Sequence, residues 1–166
     1  MKWLFALLLG FSAACASAAQ DVAPRDAHVK PFVRGSHQQI IAAHAGKPFI
    51  VTFWSLACTN RRDDLVLFGW LARKYRDLEL IIVSTDSPEQ NREISRTLQR
   101  YHLGKTESWV FADSFAERLR FEVDAQWYGE LPRTYFYDAQ GHVLALSGTL
   151  DHAQTENWIR ESRKRG

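Results

Sequence analysis

Phe49-Ile50-Val51-Thr52-Phe53-Trp54-Ser55-Leu56-Ala57-Cys58-Thr59-Asn60-Arg61 runs from an apolar segment into a helical pattern. The first six residues, 49–54, are apolar or β-branched, which reads as a strand buried on both faces of a sheet. Beyond Cys58, Leu65, Phe68, Leu71 and Ala72 recur at i, i+3, i+6 and i+7, with Asp63 and Asp64 in the first turn, the pattern of an amphipathic helix. Cys58 therefore falls at a strand-to-helix turn. Unpaired backbone N–H groups and a partial positive charge gather there and favour thiolate over thiol. Arg61, three residues on, brings a fixed cation toward the same sulfur. A thiolate so placed can attack a disulfide or a peroxide, and no second cysteine stands three residues on to resolve the adduct.

Outward from this stretch the chain alternates strand and helix. Ser36-His37-Gln38-Gln39 has capping-box spacing and predicts a helix over 38–45, closed by Gly46. The branched run 78–85 reads as a second buried strand. Ser87-Pro88-Glu89-Gln90 opens a helix to about residue 102. A short strand at 109–111, a helix over 114–121, hairpin strands at 133–138 and 142–147 and a final helix from His152 complete the order. Strand and helix in alternation, followed by a hairpin and a helix, predict an α/β fold with a central mixed sheet flanked by helices on both faces.

The stretch resembles the active-site motif of extracytoplasmic thioredoxins of the TlpA/ResA type, bacterial disulfide reductases some of which serve cytochrome c or copper-centre maturation. That motif is a strand ending in Phe-Trp, a few residues, Trp-Cys-x-x-Cys, and an acid three positions past the second cysteine. Phe53, Trp54, Cys58 and Asp64 match; Ala57 stands in the place of the motif tryptophan and Arg61 in that of the second cysteine. Leu131-Pro132-Arg133-Thr134-Tyr135-Phe136-Tyr137-Asp138 resembles the family's cis-proline segment, with Gly141 in the following hairpin turn. The similarity runs from about Phe32 to the last helix. It implies a thioredoxin-like fold with an inserted helix and strand, a cis bond before Pro132, and a groove for an extended client formed by Trp54, Ala57, Leu131 and Pro132. By the same resemblance Asp64 is a proton acceptor near the thiol.

With 166 residues the chain is one domain long, and 46% apolar residues suffice for one core. A net charge of +2 with no basic stripe interleaved with aromatics gives no case for nucleic acid. Arg160, Arg163, Lys164 and Arg165 read as cations offsetting the dipole of the last helix. Met1-Lys2, the apolar stretch 3–14 and the small residues around Ala18-Ala19 read as a signal peptide over 1–19, too short in its apolar part to span a membrane. Residues 20–31 read as a flexible lead-in and 32–166 as the domain. The expected location is periplasmic or otherwise extracytoplasmic. Ser12-Ala13-Ala14-Cys15 also partly resembles a lipoprotein box, and only lipidation of Cys15 would place the protein on a membrane.

The mature chain then has one thiol in an oxidising compartment, a monomer in which a disulfide-linked dimer through Cys58 is the alternative state. Two classes of function stay open. In one, a monothiol oxidoreductase uses Cys58, with Arg61 and Asp64 beside it, on a protein disulfide client or glutathione. In the other, a redox-silent module binds an extended partner segment in the same groove, in cytochrome or copper-centre assembly. A third, minor reading rests on Ser55-Leu56-Ala57-Cys58, which has the Ser/Thr-x-x-Cys spacing of peroxiredoxins, with Val51 where those enzymes carry proline. His37 and His44 could share a helix face, but without a neighbouring thiol or carboxylate in sequence they make no closed ligand set, so neither metal nor cofactor is expected.

Overall fold

The computed structural model describes residues 29–59 and 61–165; the segments read as signal peptide and most of the lead-in lie outside them. The order is β1 (Val29–Phe32), α1 (Ser36–Ala43), β2 (Phe49–Trp54), α2 (Arg61–Lys74), β3 (Glu79–Ser84), a 3₁₀ turn at Pro88–Gln90, α3 (Asn91–Arg100), β4 (Glu107–Phe111), α4 (Ala116–Val123), β5 (Arg133–Tyr137), β6 (Val143–Ser147) and α5 (His152–Arg165). The six strands form one sheet in the order β1-β4-β3-β2-β5-β6. β1 to β4 run parallel, and β5 and β6 are antiparallel to their neighbours.

Because successive side chains of a strand face opposite ways, β2 feeds two cores. Ile50 and Trp54 join Leu65, Phe68, Leu71, Ile94, Leu98 and Ile159 from α2, α3 and α5 on one face. Phe49, Val51 and Phe53 join Ile40 and Leu119 from α1 and α4 on the other. Helices covering both faces explain why β2 and β3 read as continuous apolar runs.

Two elements differ from expectation. The segment 29–31 is not lead-in but most of β1, an edge strand whose register pairs Val29 with Ser108 and Phe32 with Phe111. Its Lys-Pro content hides it, since proline is tolerated at an edge. The capping box at Ser36 does not form: Gly35, at φ 83°, stands at the N-cap, and the Ser36 hydroxyl accepts from the Val33 N–H at 2.9 Å.

The C-terminus of α3 has an unusual occupant. The Leu103 N–H reaches the Leu98 carbonyl at 2.8 Å and the His102 N–H that of Gln99 at 3.0 Å, the paired bonds of a Schellman motif. The residue between must be left-handed. Glycine is the usual choice, yet His102 holds it at φ 63°, at a cost of about 1 kcal/mol for a side chain with a Cβ.

Gly69 sets how closely α2 approaches this turn. A Cβ built there meets the backbone oxygen of Tyr101 at 2.0 Å. Alanine ordinarily favours a helix interior over glycine by up to 1 kcal/mol, but Gly69→Ala is expected to destabilise the protein by about 2 kcal/mol through that clash. The urea unfolding midpoint checks it; an unchanged or raised midpoint would show that the two segments part without cost.

Candidate functional site

β2 and β3 end side by side, and the polar residues that follow them lock together. Past Trp54 the chain turns, with the Cys58 N–H donating to the Ser55 carbonyl at 3.1 Å and the Ala57 N–H to the Ser55 hydroxyl oxygen at 3.1 Å. Asp86, two residues beyond β3, braces this turn. Its carboxylate accepts from the Ser55 hydroxyl at 2.7 Å, the Leu56 N–H at 2.8 Å and the Ser84 hydroxyl at 2.6 Å. The Thr85 N–H donates to the Trp54 carbonyl at 2.9 Å. Asp86 and Ser84 were not among the residues singled out from sequence, and Ser55 was noted only for its spacing from Cys58. The available signal was a run of short polar residues, Ser84-Thr85-Asp86, directly after a buried strand.

Cys58 is half-buried and forms no disulfide. Arg61 opens α2 and turns back on the same residue: its N–H and its Nη1 both donate to the Cys58 carbonyl, at 3.4 and 2.8 Å. Sequence spacing placed this cation toward the Cys58 sulfur. Its hydrogen bond instead goes to a main-chain oxygen, so the guanidinium closes the turn from behind. Ala57 beside it is exposed.

Asp64 points inward. It is 3% exposed; Oδ1 accepts from the Leu150 N–H at 3.0 Å, and Oδ2 has no partner. Burial, partly offset by the Leu150 N–H and reinforced by the charge of Asp63, pushes this carboxyl up to about 6. It thereby ties α2 to the connection between β6 and α5. Trp54 lies in the core at 2% exposure, its indole N–H also without a hydrogen-bond partner.

The register Phe53↔Arg133 brings the start of β5 to the end of β2, so Leu131-Pro132 and the 55–58 turn leave the same end of the sheet. The Leu131-Pro132 bond is cis. Pro132 is buried, its carbonyl accepting from the Gly148 N–H at 2.8 Å, and Leu131 is half-buried against the second core. The loop before it is anchored by Arg133, which donates to Asp124 at 2.7 Å, the Tyr135 hydroxyl at 3.1 Å and the Ser147 hydroxyl at 2.8 Å. Burial raises the Asp124 carboxyl, but donors from Gln126, Arg133 and Tyr135 outweigh it and hold the group below its usual range. Burial pushes the Tyr135 phenol up to about 12. A cleft of about 430 Å³ opens at this end of the sheet between the ends of β3 and β4, lined in part by Asp86, Pro88 and Phe111.

No family model matches the chain, and no curated protein matches it in sequence. Solved structures do share its fold. A secreted disulfide oxidoreductase of Mycobacterium tuberculosis, homologous to E. coli DsbE, superposes with a TM-score of 0.57 at 16% identity, over 72% of this chain and 85% of that one. A thiol:disulfide interchange protein of the thioredoxin family from Chlorobium tepidum gives 0.57 at 18%, over 74% and 83%. An exposed lipoprotein thioredoxin of Streptococcus pneumoniae gives 0.50 at 14%, over 73% and 89%. The fold is thioredoxin-like, in agreement with the order of elements read from the sequence.

Proposed function

We propose that this is an exported protein of TlpA/ResA type that acts on thiols and disulfides through Cys58 alone. The observation that carries the reading is a half-buried thiol without a disulfide partner, on a turn braced by Asp86, at the sheet end where Leu131-Pro132 also emerges. The Cys58 thiolate attacks one sulfur of a client disulfide, forming a mixed disulfide and releasing the other sulfur as thiolate. An external thiol such as glutathione then attacks the mixed disulfide, restores the Cys58 thiolate and leaves with the client sulfur. Arg61 holds the turn, and Asp64, in the first turn of α2, is the proton acceptor that the resemblance implies. Ala57 and Leu131 line the client groove, and Trp54 and Pro132, both buried, shape the backbone beneath it. Export rests on the pattern of residues 1–19, and lipidation of Cys15 remains the route to a membrane-bound form.

A redox-silent partner-binding module is the second reading. The observation favouring it is that Arg61, at the position of the resolving thiol, is engaged with the main chain, so the residue has a structural role of its own.

One experiment separates the two. Iodoacetamide at pH 7 should alkylate Cys58 faster than it alkylates glutathione, and wild-type protein should trap extracytoplasmic clients as mixed disulfides that Cys58→Ser does not form. Arg61→Cys, which restores two thiols at C-x-x-C spacing, should gain reductase activity toward insulin without added glutathione. An unreactive Cys58, with partner capture unchanged in Cys58→Ser, would establish the binding module instead.

A further inference from the structure

A second cleft lies at the opposite end of the sheet. It holds about 800 Å³, within the ~300–1,000 Å³ typical of small-molecule sites. Glu79 and Glu107, the first residues of β3 and β4, lie in it, about 20 Å along a six-residue strand from the end carrying Cys58. Arg73 from the last turn of α2, Arg76 just beyond it, and His102 and Lys105 from the connection between α3 and β4 line it together with His44, Ala72 and Leu80.

The acids of this cleft are met by His44 and Lys30, while its arginines and lysine are not paired. Among the described residues Arg73, Arg76 and Lys105 have no ion-pair or hydrogen-bond partner, although Lys74, next to Arg73, is paired with Glu156. Glu107 is already engaged by Lys30 at 2.7 Å, the Trp109 indole N–H at 3.0 Å and His44 at 3.3 Å. Glu79 is met only by His44, at 3.5 Å. A simple anion would meet Glu79 and the carbonyl ends of α2 and α3; a simple cation would meet the arginines and the lysine. A molecule carrying both signs satisfies both sides. His102 adds an independent sign of use: it keeps a left-handed backbone where glycine fits without strain, and it does so on the rim of this cleft.

We propose that this cleft binds a small zwitterion, a free amino acid or short peptide, with its carboxylate toward Arg73, Arg76 and Lys105 and its ammonium toward Glu79. The site does not depend on the chemistry of Cys58, and Cys58→Ser should bind as wild type does.

Triglycine titrated into the full chain and followed by backbone amide shifts is the test, with glycine as the free amino acid. Saturable shifts confined to residues 72–80 and 102–107 are expected. N-acetylation or C-amidation of the peptide, and Glu79→Gln or Arg76→Ala in the protein, should each weaken binding at least tenfold. His102→Gly should raise Tm by about 3 °C through relief of the strained backbone, and weaken binding as well. Glycine binding as tightly as triglycine would assign the free amino acid; much weaker binding would assign the peptide. No saturable shift at millimolar concentration of either, or inorganic phosphate binding as tightly as triglycine, would overturn the proposal. Full affinity in His102→Gly would remove His102 from the binding site.

Discussion

Asp64→Asn should raise the free energy of unfolding by about 3 kcal/mol at pH 8 and leave it unchanged below pH 4. The carboxyl is 3% exposed, with one hydrogen bond and one orphaned oxygen, and its pKa rises from 3.8 to about 6 on folding. A raised carboxyl pKa means that the folded chain holds the proton more tightly than the unfolded chain. The resulting stability is therefore complete below the unfolded value and is lost as pH rises through the folded one. Above that window wild type carries a buried, half-partnered charge. Asparagine removes the charge and keeps an acceptor for the Leu150 N–H. Urea unfolding of both proteins across pH 3.5–8 measures the difference; a gap that does not widen with pH would mean that Asp64 titrates in the fold as it does in water.

Asp86→Ala should cost about 3 kcal/mol, since it removes the acceptor of three hydrogen bonds and leaves the Leu56 N–H and two hydroxyls to find water. The expected effect on chemistry is larger still. The Ser55–Cys58 turn is held against β3 mainly through this carboxylate, and a displacement of about 1 Å at a reacting group can cost a hundredfold in rate. Client trapping by Cys58 should fall by one to two orders of magnitude, and Asp86→Asn, which keeps an acceptor but not the charge, should recover part of both losses. Stability measured by denaturation and trapping measured at a temperature where the variant stays folded separate the two effects. Unimpaired trapping in folded Asp86→Ala would show that the turn needs no brace.

The run 49–54 was legible as β2 to the residue because burial on both faces leaves a continuous apolar signal. Pro132 was placed by resemblance, and its cis bond agrees with that. The brace at Asp86 was not legible: a carboxylate after a strand looks the same in sequence whether it faces water or a neighbouring turn, and its partners lie about thirty residues away. Asp64 was read as a helix N-terminal acid or a proton acceptor, and its inward orientation depends on Leu150, which only the tertiary arrangement brings near. β1 was missed because four edge residues with a proline carry almost no periodic signal.

His37, opposite Asp64 in character, sits in the other core at 5% exposure with its Nε2 at 2.9 Å from the Tyr137 hydroxyl. Burial, resisted by the charges of Glu122 and Asp124, lowers its pKa from 6.5 to about 4. An imidazole shifted this way favours the folded state more as pH rises between those values, while Asp64 favours it less over nearly the same interval. The two slopes are of similar size and opposite sign. Together they act as a counterweight: one core takes a proton from the medium on folding where the other gives one back, and across mild acidity the exchange nearly cancels. The pH dependence that these two residues contribute, from opposite faces of one sheet, thereby nearly vanishes across mild acidity.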